Sequence, residues 1–251
     1  MPMAAPAVSD PRRISRKLTI NMDHDTINVR SVIKGAIKEA AHTMTDAYGN
    51  NALLVWCAQK KHGEFLYTLF KNMINSATIQ SRDFAVQVEG CKGVLVWTTN
   101  PDGLLWPRVL GATKLMSYGW NTALRALIKY QPVCDKVRRR IIDSFEEDQC
   151  IKIAYIGVLP HEQRKGLGSA LLRHVLDKAD AAHYPVLVEV TDHKAVSFFR
   201  RFDFHSVETI HINNDSDLPI TFMVREPQVG LTTTPQPLRI RPGRRDSDDS
   251  L

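Results

Sequence analysis

The sequence has few cysteines: Cys57, Cys91, Cys134 and Cys150 are the four in 251 residues. They lie far apart, with no CxxC pair and no nearby pair of histidines, which argues against a zinc site or a disulfide framework. No window contains the roughly 18 consecutive apolar residues of a membrane span, and the N-terminus lacks the apolar core of a secretory signal. We therefore expect a cytoplasmic protein with reduced thiols, no metal and no membrane partner.

Strong charge imbalance is missing too, since the net charge is only +6. The basic clusters at residues 12–17 and 239–245 have acidic neighbours, and we interpret them as solvated ends. They have no interleaved aromatic residues and belong to no known nucleic-acid-binding motif, so we expect no nucleic-acid partner. The cluster at 12–17 also suggests a mitochondrial transit peptide, but Asp10 and the lack of an amphipathic face argue against that.

The composition divides the chain into three parts. Residues 1–24 are rich in Pro, Ala and Arg, and residues 227–251 are rich in Thr, Pro, Arg, Asp and Ser. Both ends are therefore expected to be disordered. Residues 25–226 are expected to form one domain. Their order of early helices, a hairpin, and then alternating strands and helices predicts a mixed α/β (α+β) fold, with a central mixed sheet and helices on both faces.

The periodicity of apolar residues predicts the individual elements. Residues 104–147 look mainly helical, with breaks near Gly111, Gly119 and Pro132. Elsewhere we expect strands at 26–32, 84–88, 94–99, 150–158, 186–191, 204–210 and 220–225, and helices at 33–47, 63–77, 167–183 and 195–202.

The junction between the strand at 150–158 and the following helix is typical of an anion site. A polar loop passes through Gly166 and Gly168 into a helix with one apolar face. The first N–H groups of a helix have no intrahelical partner, and the helix dipole adds partial positive charge there. Glycines let an anion approach the backbone, and Arg164 and Lys165 add two cations. The pattern predicts a phosphate or pyrophosphate site.

An ordinary strand-to-helix turn that uses glycine for its geometry is the alternative. The two best-known phosphate motifs are missing, because the chain has neither a GxxxxGK[ST] loop nor a GxGxxG spacing at this junction.

The same residues resemble a known family. Gln163-x-x-Gly166-x-Gly168 matches the [QR]-x-x-G-x-[GA] signature of GNAT acetyltransferases, and Val158-x-Pro160 falls where that family has Val-x-Pro. The resemblance implies acetyl-CoA as co-substrate, with its pyrophosphate on the loop and its pantetheine arm paired to the backbone of the preceding strand. The cofactor-binding residues implied are Ile156, Val158, Gln163, Arg164, Lys165, Gly166, Leu167, Gly168 and Ser169.

Further segments resemble the puromycin N-acetyltransferase-like branch of the family, which is common in bacteria and fungi. These segments are residues 94–99, 188–189, 198–201 and 223–225. The branch implies an enzyme that transfers acetyl from acetyl-CoA to a primary amine of a small molecule, by direct attack in a ternary complex. The alternatives are a protein N-acetyltransferase and a catalytically weak acyl-CoA-binding or regulatory module. The oligomeric state stays open.

The chain departs from the family pattern at three positions. Phe199 stands where the family usually has a tyrosine, the common candidate acid for the departing thiolate. Asp203 stands where it has a glycine, and Asp192 where it has an asparagine. Loss of the tyrosine predicts slower transfer rather than none, because a thiol with a pKa near 8.5 is already a fair leaving group.

Glu189 is the candidate for the base that deprotonates the incoming ammonium. It shares a strand face with Leu187 and Thr191, and a carboxylate within a buried strand is costly unless it is paired or functional. We expect burial to raise its pKa toward the range of a general base, and a paired structural glutamate is the alternative. Tyr155, on the strand expected to line the thioester, is the second candidate.

An acceptor pocket is expected in the helical segment before the cofactor-binding half. The aromatic candidates to line it are Trp106, Tyr118 and Trp120, with core packing as the alternative. For Trp97 we expect core packing.

Overall fold

The computed structural model of the chain describes residues 27–58, 61–145, 149–212 and 218–228. Over these residues a mixed sheet of seven strands runs in the order β1-β2-β3-β4-β5-β7-β6. The predicted disordered end at 1–24 lies outside the described residues, as does the predicted tail beyond residue 228, so both stay predictions. The seven strands are β1 (Val29–Ser31), β2 (Ala85–Val88), β3 (Gly93–Thr98), β4 (Ile151–Val158), β5 (Val186–Val190), β6 (His205–His211) and β7 (Pro219–Arg225).

The helices surround the sheet and match the predicted ones closely. Short 3-10 turns at Lys34–Ala36, Arg82–Phe84 and Pro160–Glu162 and a π-helical turn at Arg125–Tyr130 accompany them. The nine described helices are α1 (Ile37–Ala47), α2 (Ala52–Ala58), α3 (His62–Gln80), α4 (Trp106–Leu110), α5 (Ala112–Ser117), α6 (Trp120–Leu124), α7 (Gln131–Ile142), α8 (Leu167–Ala182) and α9 (His193–Arg200).

Helices α1 and α8 cover opposite faces of the sheet, and two glycines show this. A Cβ on Gly157 would meet Met44 of α1, whereas a Cβ on Gly93 would meet Leu171 of α8. Gly93 pairs with Val158, which neighbours Gly157 on β4. Because successive residues of a strand point to opposite faces, the two helices lie on either side of the sheet. The predicted fold class is confirmed.

Two features of the helical segments differ from the prediction. The seven-residue helix α2 was not predicted, because the sequence Gly49-Asn50-Asn51 only indicates a break; here Asn51 caps the new helix by accepting from the Leu54 N–H at 3.2 Å. Pro132 was expected to break a helix, yet it lies in the first turn of α7. A proline is tolerated there because its missing N–H would have no helical partner.

The sheet opens between β4 and β5. These parallel strands pair only from Ile151 to Ile153, although β4 continues to Val158. At the same place β4 carries a bulge: Val96 pairs with Tyr155 and Trp97 with Ile153, which leaves Ala154 as the extra residue. Beyond the bulge β4 has one edge without a neighbouring strand, and this edge forms the wall of a cleft.

Three further observations concern the described residues. Their helices include none that is both long and apolar enough to cross a bilayer. They bring together no cluster of three or more His, Cys, Asp or Glu side chains placed to hold a metal ion. The four cysteines are buried and free.

Candidate active site

The free edge of β4 presents backbone groups to the cleft. The Leu159 N–H donates to the Lys92 carbonyl at 2.9 Å, on the β3 side. Because backbone groups alternate along a strand, those of Ile156 and Val158 point away from β3. Their carbonyls accept from Tyr48 Oη at 3.0 Å and from Gln163 Nε2 at 3.2 Å. Their N–H groups have no acceptor within the described chain, so an extended ligand with amide groups fits this edge.

The start of α8 lies at the end of this edge. Gly166 precedes the helix in the left-handed conformation, with φ at 85°, and Arg164 is left-handed as well, at 66°. Within the described residues the N–H groups of residues 164–169 donate to no protein acceptor. Since these groups and the helix dipole face an open cleft, the local structure suits a phosphate or pyrophosphate.

The predicted cations at this loop differ in position. Arg164 is exposed and lines the cleft. Lys165 does not line it, and its Nζ lies 2.8 Å from Glu162 Oε2. Two cations that the sequence did not single out, Lys194 and Arg201 at either end of α9, line the same part of the cleft. Their contribution could not be read from the local motif, because they follow the loop by about one helix and one strand.

At Gly168 the absence of a side chain leaves room for a ligand to approach the backbone closely. Gly168 lies on the cleft wall, and a Cβ there would lie 3.7 Å from both Phe198 and Val158, an ordinary contact distance. An alanine would therefore fit, whereas a longer side chain would extend toward the space that an anion needs. Of the nine predicted cofactor-binding residues, all but Lys165 line the cleft.

The cleft has a volume of about 1310 Å³ and runs from the start of α8 to a second half enclosed by the helical segments. We call this second half the acceptor half. It is walled by aromatic and aliphatic side chains and contains a group of buried charges. The residues that define it are Tyr48, Leu53, Leu54, Leu104, Leu105, Trp106, Tyr130, Arg138, Lys152, Tyr155 and Glu189.

The buried charges of the acceptor half form a network around Glu189. Arg138 Nε of α7 donates to Glu189 Oε1 at 2.7 Å, and Lys152 Nζ of β4 donates to the same oxygen at 3.0 Å. Arg138 also pairs with Asp135. Only about 10% of the Glu189 side chain is exposed, and Oε2 has no hydrogen-bond donor among the described residues. That oxygen is therefore free to accept from a ligand in the cleft.

The electrostatic state of Glu189 differs from the expectation. Burial alone raises the pKa of its carboxyl, but the adjacent Lys152 and Arg138 outweigh it and lower the pKa to about 2. The expectation of a raised pKa is therefore wrong, because the sequence did not show the two cations. At neutral pH the carboxylate is ionised and a weak base, while burial lowers the pKa of the Lys152 ammonium.

Tyr155 lies beside this network. Trp106 Nε1 donates to its hydroxyl oxygen at 3.0 Å, and its ring packs edge-on against Tyr48 and Phe70. Burial raises the pKa of Tyr155 far above that of a free phenol. The hydroxyl therefore keeps its proton at neutral pH, which does not favour the predicted role as a base.

The other aromatic candidates have mixed positions. Trp106 lines the cleft and stacks on Tyr130 at a centroid distance of 4.8 Å. Tyr118 is buried away from the cleft and donates to Thr68 Oγ1, and Trp120 is 68% exposed outside it. Trp97 is fully buried in the core, as expected.

The departures from the family pattern have local explanations. Asp203 has φ at 64°, a left-handed conformation that glycine adopts without strain and that Asp tolerates better than most residues. Asp192 caps α9 by accepting from the Lys194 N–H at 3.1 Å. Phe199 is buried, contacts Phe204 and lines the cleft, but it has no proton to donate.

Comparison with known proteins agrees with this geometry. Residues 133–204 match the model of the Acetyltransferase (GNAT) family. These residues contain β4, the loop before α8, α8 itself, β5 and α9, which together build the side of the cleft at the start of α8. A search of curated protein sequences finds no significant match.

Solved structures with the same fold include acetyltransferases. One described as histone acetyltransferase HPA2 and related acetyltransferase, from Corynebacterium glutamicum, has a TM-score of 0.57 and 18% identity over 82% of this chain and 99% of its own. An agmatine N-acetyltransferase has a TM-score of 0.57 and 17% identity, over 80% of this chain and 100% of its own. The Drosophila melanogaster polyamine N-acetyltransferase catalyses the formation of N-acetylagmatine. It has a TM-score of 0.57 and 16% identity, over 80% of this chain and 99% of its own.

The fold is thus that of the GNAT acetyltransferases, and residues 133–204 match the sequence model of that family. The family match over residues 133–204 and the shared fold support the predicted enzyme class, an acetyl-CoA-dependent N-acetyltransferase. The narrower resemblance to the puromycin N-acetyltransferase-like branch stays a prediction.

Proposed function

We propose that the protein transfers an acetyl group from acetyl-CoA to a primary amine of a small molecule, by direct attack within a ternary complex. The observation that carries the proposal is the continuity of the cleft. It leads from the open start of α8, along the free edge of β4, into the acceptor half.

Acetyl-CoA fits the cofactor side in its charge and shape. Its pyrophosphate would accept hydrogen bonds from the N–H groups at Gly166, Gly168 and Ser169, with Arg164 neutralising charge. Its pantetheine amides would accept from the free backbone N–H groups of Ile156 and Val158, in the manner of an added strand. The thioester then lies where β4 and β5 separate.

The acceptor half favours a small molecule over an extended peptide. Aromatic side chains of β4, α4 and the π-helical turn surround it, and helices α2 and α7 contribute further walls. Two structures with the same fold are enzymes for agmatine or polyamines. A third is described as a histone acetyltransferase, so a protein acceptor stays the alternative.

The chemistry needs few groups from the protein. The amine nitrogen attacks the thioester carbonyl carbon, the C–N bond forms, and the C–S bond breaks. Holding the two reactants in the geometry for attack lowers the activation barrier by roughly 7–11 kcal/mol. Glu189 Oε2 would accept a hydrogen bond from the amine, while its pKa of about 2 leaves most of the proton transfer to water or another group.

A thiol-release assay with acetyl-CoA and a panel of amines tests the proposal. The panel holds agmatine, polyamines, arylalkylamines, aminonucleosides and peptides with free N-termini. We expect saturable CoA release with at least one small amine and a product mass 42 Da above that of the acceptor, the mass added by acetylation. Turnover on peptides alone would contradict the small-molecule assignment.

A second candidate is a cofactor-binding module with little activity. The observation in its favour is Phe199, which cannot protonate the departing thiolate. Calorimetry with CoA separates the two candidates: tight CoA binding with no thiol release on any amine would support the module. Absence of binding at millimolar CoA would contradict both.

A further inference from the structure

The two buried cations of the acceptor half have more hydrogen-bond donors than the chain uses. An ammonium carries three N–H groups and a guanidinium five. Lys152 donates one hydrogen bond to Glu189, while Arg138 donates one to Glu189 and one to Asp135. No other described residue accepts a hydrogen bond from either cation. Positively charged donors are therefore left over for a ligand.

Two atoms of this network reach the open cleft. Among the described residues, the buried side-chain nitrogen and oxygen atoms without a hydrogen-bond partner are His62 Nδ1 and Arg225 Nε. Glu189 Oε2 and Arg138 Nη2 also have no partner, so they are not fully buried, and both side chains line the cleft. Because Lys152 lines the cleft as well, a ligand meets one free acceptor next to several free donors.

The acceptor and the donors lie side by side at the mouth of the gap between β4 and β5. Val188, which precedes Glu189, pairs with Ile153 in the last β4–β5 pair. Lys152 pairs with Leu187 and shares a face of the sheet with Glu189, because residues two apart on a strand point the same way. Oε2 belongs to the carboxylate whose other oxygen lies 3.0 Å from Lys152 Nζ. A ligand that binds both needs its own donor and its own anion only a few atoms apart.

The charges of the acceptor half favour a zwitterion over a simple cation. Arg138 and Lys152 are two cations against the single carboxylate of Glu189, since Asp135 does not line the cleft. An ammonium without an anion would place a third cation among them. An ammonium that carries a carboxylate instead brings an anion to the buried Lys152. Burial lowers the pKa of this lysine, and a second carboxylate beside it would favour the charged form.

The remaining walls of the acceptor half are apolar or aromatic. Trp106 stacks on Tyr130 at a centroid distance of 4.8 Å, and Leu53, Leu54 and residues 104–105 contribute aliphatic surface. The residues that define the acceptor half offer no charged group besides those of the network. An apolar side chain would gain free energy by burying its surface against these walls.

We propose that the acceptor is an α-amino acid with an apolar side chain, whose ammonium binds Glu189 Oε2 and whose carboxylate binds Lys152 and Arg138. The assignment rests on the proposed function and narrows its small amine to one class. In an α-amino acid one carbon joins the two charged groups, which suits the short spacing of Oε2 and Nζ. The nitrogen forms the C–N bond, the C–S bond breaks, and the carboxylate is unchanged. The ammonium and acetyl-CoA give the N-acetylamino acid and CoA thiol, and one proton passes to water.

Three acceptors that share one side chain test the assignment on the unchanged protein. Phenylalanine carries the carboxylate, phenethylamine lacks it, and phenylalaninamide replaces it with a neutral group of similar size. We expect kcat/KM for phenylalanine to exceed that of each of the other two by at least about 10-fold, which is what a hydrogen bond between charged groups typically contributes. Thiol release and product mass measure all three.

Lys152→Met tests the residue, because it removes the ammonium and keeps an unbranched side chain. We expect the ratio of kcat/KM for phenylalanine to that for phenethylamine to fall at least about 10-fold. Lys178→Met is the matched control, since it removes an ammonium that lies 3.2 Å from Asp83 outside the cleft, and it should keep the ratio. Because both substrates are measured on each protein, the folded fraction cancels from the ratio.

Each outcome separates the two proposals. If phenethylamine or phenylalaninamide is used as well as phenylalanine, the amino-acid assignment is wrong while the proposed function stands, and this comparison holds even where Lys152→Met does not fold. A folded Lys152→Met that keeps the full ratio also contradicts the assignment. If the unchanged protein binds CoA but releases no thiol with any amine, the proposed function fails and the assignment with it.

Discussion

Arg138 of α7 and Glu189 of β5 form a buried ion pair, with 2.7 Å between Nε and Oε1, although 51 residues separate them in the chain. The pair joins the helical segment that walls the acceptor half to the strand on the far side of the gap. Because Lys152 binds the same carboxylate oxygen, one carboxylate holds two buried cations.

Glu189→Gln should destabilise the protein at neutral pH. It leaves the buried Lys152 without its carboxylate and Arg138 with Asp135 alone, and breaking a buried ion pair typically costs about 3–5 kcal/mol. The pKa of Glu189 is lowered in the folded state to about 2, so its contribution is complete above the ordinary value of about 4.3 and is lost as the pH falls toward 2. Urea unfolding of both proteins at pH 7 and pH 3 should show a clearly smaller difference at pH 3, where part of the contribution is already lost.

Glu208→Gln is the control for that experiment. Glu208 pairs with Arg140 at 2.8 Å on the surface, where such pairs contribute about 0–1 kcal/mol. A similar loss from both variants would mean that the buried network contributes no more to stability than an exposed pair.

The same electrostatics make a kinetic prediction. Because Glu189 is already ionised across the neutral range, the rise of kcat/KM with pH should follow deprotonation of the acceptor amine. Glu189→Gln should therefore lower kcat and leave the midpoint of that rise in place. A midpoint that moves or vanishes in the variant would restore Glu189 as the titrating base.

Gly168→Glu should abolish CoA binding and leave the fold intact. A Cβ fits at this position, but a longer acidic side chain brings bulk and negative charge to the proposed pyrophosphate site. Gly168→Ala is the matched control and should bind CoA and melt much like the unchanged protein. Calorimetry with CoA and thermal melting check both; normal binding by Gly168→Glu would place the anion elsewhere.

Gly157→Ala should destabilise the fold. The added Cβ would lie 2.9 Å from both Ala47 Cβ and Met44 Sδ, so α1 must shift away from β4. Overpacking of this kind costs typically about 1–3 kcal/mol. Gly63→Ala, in open space on α3, should instead be neutral or stabilising by up to about 1 kcal/mol. Chemical unfolding of the two variants measures the contrast, and equal effects would contradict it.

Local pattern was enough to predict most of the fold and the open loop at the start of α8. Helix α8 and its loop follow from a regular apolar face and a short motif, both contiguous in sequence. Helix α2 was missed because its seven residues are too few to show a period next to three break-forming residues.

The acceptor half was harder to predict, since its properties arise between distant segments. Glu189 was recognised as unusual from its own strand, but nothing in that strand shows Arg138 or Lys152 approaching it. The sign of its pKa shift was therefore wrong. Likewise, the Trp106–Tyr155 hydrogen bond joins residues 49 apart and decides which way the phenol can donate.

The extra residue at Ala154 has a consequence for stability under working conditions. Beyond it the sheet carries unpaired N–H groups along β4, so a pantetheine arm bound as proposed would complete a ladder that the chain leaves unfinished. The ligand would then act as part of the sheet, and the free energy of unfolding should rise with its concentration. At one hundred times the dissociation constant, the gain is about 2.7 kcal/mol. The level of acetyl-CoA around the protein would thereby help to set how long the protein persists, as well as how fast it works.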